Sequence, residues 1–426
     1  MRDMKKDAGL LLSGEESYLD YAAALAEASR EKRGDSLVPS DAPYWAFLKQ
    51  ARSAGKKIVY VSGPVPVEIL YALDCAPLYL DLLTPRLAEN AVLVPALMRE
   101  TELHANADVC RMSKTQIGML LAGDMGLVPD AYVAVPVPCD SACMTYMTLA
   151  ARVGAPTFQF DVPKRASSRT LAYLEGQCDA FVEFLEKITG KKLDPDALRE
   201  RMALSNRAAQ LLSETSALRK KRPSPMSSHL NIWNELINAW GPTEALCAML
   251  EKERVLCQQR VSEGFSPCPG GEKHRVLLLH NMLWQGVDFT EWLEKEYGAV
   301  TVADGYSFKQ RAFFEHLDDA ADCRSVLCRR MIDGAAVHGA GASGEKLVDD
   351  VCEMINAHGA DVAIFMGSSG CRHEWAATRM LEEAVQARCG ISMLELDTDN
   401  TDPNYRSEKE VKKALAEYMD TVVKKR

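Results

Sequence analysis

No apolar stretch of this chain approaches the roughly 18 residues that a bilayer-spanning helix requires. Its opening Met-Arg-Asp-Met-Lys-Lys-Asp leads only into the short Leu10-Leu11-Leu12. The long apolar run of a signal peptide is missing there, which predicts a cytoplasmic protein. An excess of basic residues is missing as well: 50 Lys and Arg stand against 60 Asp and Glu, a net charge of -10. That balance gives no electrostatic footprint for nucleic acid and none for an anionic membrane surface. Cys-x-x-Cys units do not occur, so a zinc ribbon or finger is poorly supported. The 13 cysteines are too dilute for a disulfide-stapled mini-domain, and their number is odd.

What remains is an ordinary globular composition, 47% hydrophobic and 26% charged over 426 residues. That length suggests two or three domains. Tyr18, Tyr21, Ala22, Leu25 and Ala28 recur at helical spacing, so residues 1–55 read as a helical N-terminal segment. A first α/β domain follows over 56–166, with strands at 57–62, 77–80, 131–135 and 157–160 and a helix at 67–73. Residues 167–264 carry no good strand, only helical patterns at 170–189, 194–221 and 226–261. After the Ser266-Pro-Cys-Pro-Gly-Gly271 linker, 272–426 alternates again. Strands are expected at 275–280, 299–303, 362–366 and 391–396, with helices at 289–297, 344–359, 375–388 and 408–423. Alternation of this kind predicts parallel sheets covered on both faces, here two flavodoxin-like α/β domains flanking a helical middle.

Gly339-Ala-Gly-Ala-Ser-Gly344 has the GxGxxG spacing, but the preceding segment is poorly strand-like. A plain loop with Ser343 capping the next helix is the expected reading. Cys139 and Cys143 fall one turn apart if Cys139 opens a helix, which taken alone indicates packing. Three cysteines share a different context. Cys139 follows the strand at 131–135, Cys371 follows the strand at 362–366, and Cys110 precedes a helix through Ile117. Ligands of open α/β sheets bind beyond the carboxyl ends of the strands, and a thiol at a helix start gains thiolate stability. Soft thiolates in a reducing compartment suit an iron–sulfur cluster, although scattered single cysteines are equally compatible with burial as small hydrophobes.

Several segments, in order, resemble the 2-hydroxyacyl-CoA dehydratase family, which includes benzoyl-CoA reductase subunits. They are Asn106-Ala-Asp-Val-Cys110 with Ile117-Gly118, the strand ending in Cys139-Asp140, Arg222-Pro-Ser-Pro225, Gly370-Cys371-Arg372 and Leu396-Asp-Thr-Asp-Asn-Thr-Asp-Pro403. The resemblance runs from about Lys57 to the C-terminus. It implies a 4Fe–4S cluster held by Cys110, Cys139 and Cys371, with one iron open to water or to the thioester carbonyl. Pro66-Val67-Glu68 resembles the family's Pro-x-Glu segment, which implies a proton-transfer carboxylate at Glu68; read as a bare residue, Glu68 falls on an exposed helix face. Leu73-Asp74-Cys75 departs from the family where a Gly is more usual, and leaves Cys75 near the cleft. His104, Arg372 and His373 are near-site candidates, and Asp397 and Asp399 are expected to organise the loop after the last strand.

The resemblance further implies radical dehydration of a 2-hydroxyacyl-CoA to a 2-enoyl-CoA. A separate ATP-hydrolysing iron–sulfur activator injects one electron, the thioester ketyl expels hydroxide, and the carbon-3 proton becomes removable. A related subunit, a second copy or a different chain, would complete the enzyme. Three alternatives stay open: a reductase of aromatic or other CoA esters; a relative with a larger double-cubane cluster using Cys75, Cys143, Cys323 or Cys328; and a noncatalytic partner whose cluster only relays electrons.

Overall fold

The computed structural model describes residues 3–33, 41–104, 108–137, 139–163, 165, 167–228, 241–280, 288–305, 320–333, 344–399, 401–402 and 404–424. Three helices open the chain, α1 (Met4–Ser13), α2 (Tyr18–Arg33) and α3 (Ala42–Ala51). The first α/β unit follows as β1 (Lys57–Val61), α4 (Val67–Ala72), β2 (Cys75–Tyr79), α5 (Leu80–Ala88), α6 (Leu93–Glu102), α7 (Arg111–Leu121), β3 (Ala131–Ala134), α8 (Asp140–Val153) and β4 (Thr157–Gln159). The helical middle comprises α9 (Ser168–Thr189), α10 (Pro195–Arg219) and α11 (Glu244–Glu263). The second unit runs β5 (His274–His280), α12 (Asp288–Tyr297), β6 (Ala299–Asp304), α13 (Ala320–Asp333), α14 (Gly344–His358), β7 (Val362–Ser368), α15 (Arg372–Trp375), α16 (Thr378–Cys389), β8 (Met393–Thr398) and α17 (Glu408–Tyr418), which ends in a π turn over Met419–Val423.

Each unit holds a four-stranded, fully parallel sheet. The orders β2-β1-β3-β4 and β6-β5-β7-β8 are the same winding used twice, the doubly wound pattern of flavodoxin-like folds. The reason lies in the strands. Ile58 and Tyr60 point to one face while Val59 and Val61 point to the other, and both sets are buried in separate cores. A strand that is apolar on both sides needs helices on both sides. On the first sheet, α1–α3 supply Leu11, Tyr18, Trp45 and Leu48 to one face. On the opposite face α9 and α10 supply Leu174, Phe181, Leu185 and Met202. Helix α13 joins that second face through Cys323, Leu327 and Met331, although it follows β6 in the chain. Val276 and Leu278 against Leu277 and Leu279 divide the second sheet in the same way.

Several expectations need adjusting. The helix expected over 375–388 is broken into α15 and α16, where Trp375 turns its indole N–H onto the Ser368 carbonyl at 3.0 Å. Of the helix expected over 226–261, residues 229–240 lie outside the described residues, and α11 begins at Glu244. Of the Gly339–Gly344 motif, only Gly344, the first residue of α14, is described, so the capping role expected of Ser343 lies outside the described residues. Asp74 lies in the Leu73-Asp74-Cys75 segment, where a Gly is expected from the resemblance. It adopts φ 57°, a left-handed conformation that Asp tolerates better than most residues, and its carboxylate meets Lys191 and Lys56. Among the described residues, no helix is long and apolar enough to cross a membrane.

Candidate metal centre

In each sheet the winding reverses between the first strand of the unit and the third, β1/β3 and β5/β7. Ligand crevices of open α/β sheets form outside the carboxyl ends of the strands at such a point. Cys139 follows β3 and Cys371 follows β7, so these two occupy equivalent positions in the two halves. Cys110 stands before α7. All three are helix N-caps: Cys110 for α7, Cys139 for α8 and Cys371 for α15.

One of the three sulfurs, that of Cys139, accepts a backbone hydrogen bond from the first turn that it caps. Cys139 Sγ receives the Ala142 N–H at 3.3 Å, while the N–H groups of Met112 and Ser113 near Cys110 and of His373 near Cys371 favour the thiolate without closing a cap bond. The N-terminal ends of α7 and α8 thus stand behind Cys110 and Cys139, which favours negative charge there. The thiols sense one another electrostatically, Cys110 feeling Cys371 and Cys139 feeling both Cys110 and Cys371. Burial nevertheless pushes all three thiols up, Cys139 to about 12 and Cys371 to about 11. The helix ends alone do not offset desolvation, so a stable set of three thiolates here requires a cationic partner.

The loops that carry the cysteines are tied to one another. Ser113 and Ser141, in the first turns of α7 and α8, share a hydroxyl–hydroxyl bond of 3.0 Å. Gly370 lies against Cys110 so closely that an added Cβ would sit 3.1 Å from the Cys110 Cα. Asp399 is fully buried after β8 and accepts from Ser368 Oγ and from the Thr401 and Asp402 N–H groups. This bears out its expected part in organising that loop, and Asp397 takes the Tyr405 hydroxyl at 2.8 Å.

Glu68 is not on an exposed face. It is completely buried, engaged on both oxygens by Arg330 of α13 and on one by Ser205 of α10. The face of α4 that reads as solvated is covered by helices from later in the chain. Cys75 is not near the cleft either. Its register partner is Lys57, so it lies where the parallel strands begin, at the opposite edge of the sheet from their carboxyl ends. Cys143 turns into the core with Tyr146 and Leu149. Cys323 and Cys328 pack in the α9–α13 core, Cys328 Sγ 3.3 Å from Cys178 Sγ. His104 is exposed at the end of α6, and Arg372 and His373 are exposed beside Cys371.

Three residues at strand ends and helix starts escaped the sequence reading. Asp81 follows β2 and is half-buried; it accepts from Gln116 at 2.9 Å and Ser62 at 3.3 Å, and desolvation raises its pKa. Its charge is felt by Cys139. His280 ends β5 with φ 72°, a strained backbone for a non-glycine residue. Its ring stacks on Phe365 and its Nε2 meets Glu374. The ligand atoms of His280, Cys371 and Glu374 lie within 4.8 Å of one another. Burial and the neighbouring His373 keep His280 neutral, its pKa well below the usual value. The rule that places sites at strand ends would have found Asp81 and His280, whereas Arg330 and Ser205 carry no local signal.

A family model described as 2-hydroxyglutaryl-CoA dehydratase, D-component, matches residues 64–421. The (R)-phenyllactyl-CoA dehydratase alpha subunit of Clostridium sporogenes is 24% identical over 380 residues, covering 84% of this chain and 88% of that protein. One of the benzoyl-CoA reductase subunits of Thauera aromatica is 23% identical over 407 residues, covering 89% and 92%. The (R)-2-hydroxyglutaryl-CoA dehydratase alpha subunit of Acidaminococcus fermentans is 27% identical over 158 residues, covering 35% and 32%.

Proposed function

The chain belongs to the 2-hydroxyglutaryl-CoA dehydratase D-component family, and from that premise we propose that it is the cluster-bearing subunit of a 2-hydroxyacyl-CoA dehydratase. The reaction removes water from carbons 2 and 3 of an (R)-2-hydroxyacyl thioester and leaves the 2-enoyl-CoA. One observation supports this reading above the others: Cys139 and Cys371 follow strands of the two sheets, Cys110 opens α7, and the turns that carry them touch, Ser113 to Ser141 and Gly370 to Cys110. Three soft donors whose burial demands a cationic partner fit a 4Fe–4S cluster with one open iron. When bound, such a cluster supplies a low-potential electron and a Lewis-acidic corner for the thioester carbonyl.

The chain's own residues have separate tasks in this proposal. The three cysteines hold the cluster, and the N-terminal ends of α7 and α8 offset its negative charge. Asp81, its pKa raised by desolvation, is suited to exchange a proton at the carboxylate edge facing Ser62. Glu68 remains the carboxylate that the family resemblance assigns to proton transfer, and the Arg330 clamp on both of its oxygens fixes where it points. A related subunit and an ATP-dependent iron–sulfur activator complete the system.

Reduction of a CoA ester without water loss is the second reading, favoured by the near-complete overlap with the Thauera aromatica benzoyl-CoA reductase chain. Anaerobic purification with iron and sulfide analysis tests the cluster. Cys110→Ala, Cys139→Ala and Cys371→Ala should each lose most of the iron, and Cys178→Ala should keep it. Turnover is then assayed with activator, ATP and a panel of 2-hydroxyacyl-CoA and aromatic CoA esters. Reduction of aromatic esters with no reaction of any hydroxyacyl ester would replace the dehydratase by the reductase. A colourless, iron-free anaerobic preparation would end both.

A further inference from the structure

The three cysteines come from segments far apart in the sequence, yet one helical turn touches the loops of the other two. Ser113 in that turn bonds Ser141, two residues past Cys139, at 3.0 Å. Arg111, next to Cys110, reaches across to the second unit. Its guanidinium donates to Ser369 Oγ and, at 3.2 Å, to Asp399 Oδ2. Its Nε lies 3.7 Å from Asp402, and its Cζ stands 4.4 Å from the centre of the Tyr405 ring. Ser369 and Gly370 lead directly into Cys371, and the Gly370 backbone abuts Cys110.

We propose that the first turn of α7 is the spacer that sets the separation of the three sulfurs, with Arg111 positioning Cys110 against Cys371 and Ser113 positioning it against Cys139. The proposal rests on the reading of these cysteines as cluster ligands. Arg111 is suited to the task. One terminal nitrogen of its guanidinium engages both Ser369 and Asp399, Nε faces Asp402, and the plane lies on Tyr405, so several contacts fix one orientation, which a lysine could not reproduce. The acceptor is preformed, because Asp399 is buried and held by donors of its own unit. The Arg111 side chain is 26% exposed. Partly solvated ion pairs contribute little net stability, so the contact acts on position more than on folding.

That distinction gives a crossed test on iron-free full-length protein. Dibromobimane is added under anaerobic conditions, and bridged cysteine pairs are quantified by peptide mass spectrometry. The wild type is expected to give both Cys110–Cys371 and Cys110–Cys139 bridges. Arg111→Ala should lower the first by about tenfold, since displacements near 1 Å act this steeply on proximity-dependent steps, and leave the second unchanged. Ser113→Ala should do the reverse. Arg111→Lys should fall between wild type and Arg111→Ala. If Arg111→Ala fails to fold, as judged by its melting curve, Asp399→Asn and the wedge Gly370→Ala carry the same expectation for the Cys110–Cys371 bridge. Unchanged bridging in the folded variants, or equal loss of both bridges, overturns the spacer. Wild-type bridging of both pairs in a protein that takes up no iron on reconstitution leaves the spacer standing and removes the cluster reading instead.

Discussion

Arg330 sets its two terminal guanidinium nitrogens against the two carboxylate oxygens of Glu68, joining α13 to the helix that follows the first strand. Glu68 has no solvent exposure, whereas the Arg330 side chain is 27% exposed. The pair is therefore asymmetric. Arg330→Ala strands a buried carboxylate with Ser205 as its remaining partner in this cluster, and should cost about 3 kcal/mol, the low end for breaking a buried pair. Glu68→Gln leaves an arginine that water already reaches, and should cost only about 1 kcal/mol. Urea denaturation of both variants checks the order, and equal losses would contradict it. If Glu68 handles a proton, Glu68→Gln should also lower turnover by about 10²-fold while retaining its iron.

Much of this architecture is legible in the sequence. The apolar runs through Ile58–Val61, Val276–Leu279 and Val362–Met366 face two cores at once, so they announce buried parallel strands. Once the strands are placed, Cys139 and Cys371 fall beyond their carboxyl ends without further information. Sequence does not disclose what depends on distant partners. Glu68 reads as surface because the residue that covers it lies 262 positions away. The attachment of α13 to the first sheet is likewise invisible, since Cys323, Leu327 and Met331 fit any core until Phe181 and Cys178 are brought beside them. The break between α15 and α16 is set by a tryptophan N–H meeting a strand carbonyl, a contact that no helical periodicity encodes.

Gly118 gives the second prediction. An added Cβ there would stand 2.2 Å from the Leu97 carbonyl oxygen and 2.7 Å from its carbon. The obstacle is backbone, which cannot swing aside like a side chain. Gly118→Ala should therefore push α6 and α7 apart and cost about 3 kcal/mol, the upper range for overpacking. Because α7 carries Cys110 at its start, iron content should fall as well. A variant with wild-type stability and full iron would show that the two helices have slack.

His358 predicts an acid-side loss of stability. Burial holds its pKa at about 4, with Lys220, Arg275 and Arg219 adding to the depression. The unfolded chain titrates near 6.5, so it binds a proton that the folded state refuses between about pH 6.5 and 4. Folding is undiminished above pH 6.5 and weakens as the pH falls through that window, by roughly 3 kcal/mol in all. His358→Gln cannot charge, and the slope of stability against pH should flatten over this interval. An unchanged slope would assign the acid sensitivity to other groups.

Asp81 reverses the sign. Desolvation raises its pKa and the bonds from Gln116 and Ser62 only partly compensate. The folded state therefore favours the protonated acid, and the wild type loses stability as the pH climbs from the unfolded carboxylate value near 3.9 through the higher folded one. Asparagine matches the shape: its carbonyl oxygen can keep the Gln116 donor, and its amide can donate to the Ser62 hydroxyl. Asp81→Asn should thus melt above the wild type at neutral pH and match it at low pH, where both side chains are neutral. Turnover should move the other way, falling by at least about tenfold if the carboxyl exchanges a proton beside the cysteines. An acid kept at a cost to folding and lost at a cost to chemistry is the mark of a functional group. A variant that is more stable and equally active would place Asp81 in the scaffold alone.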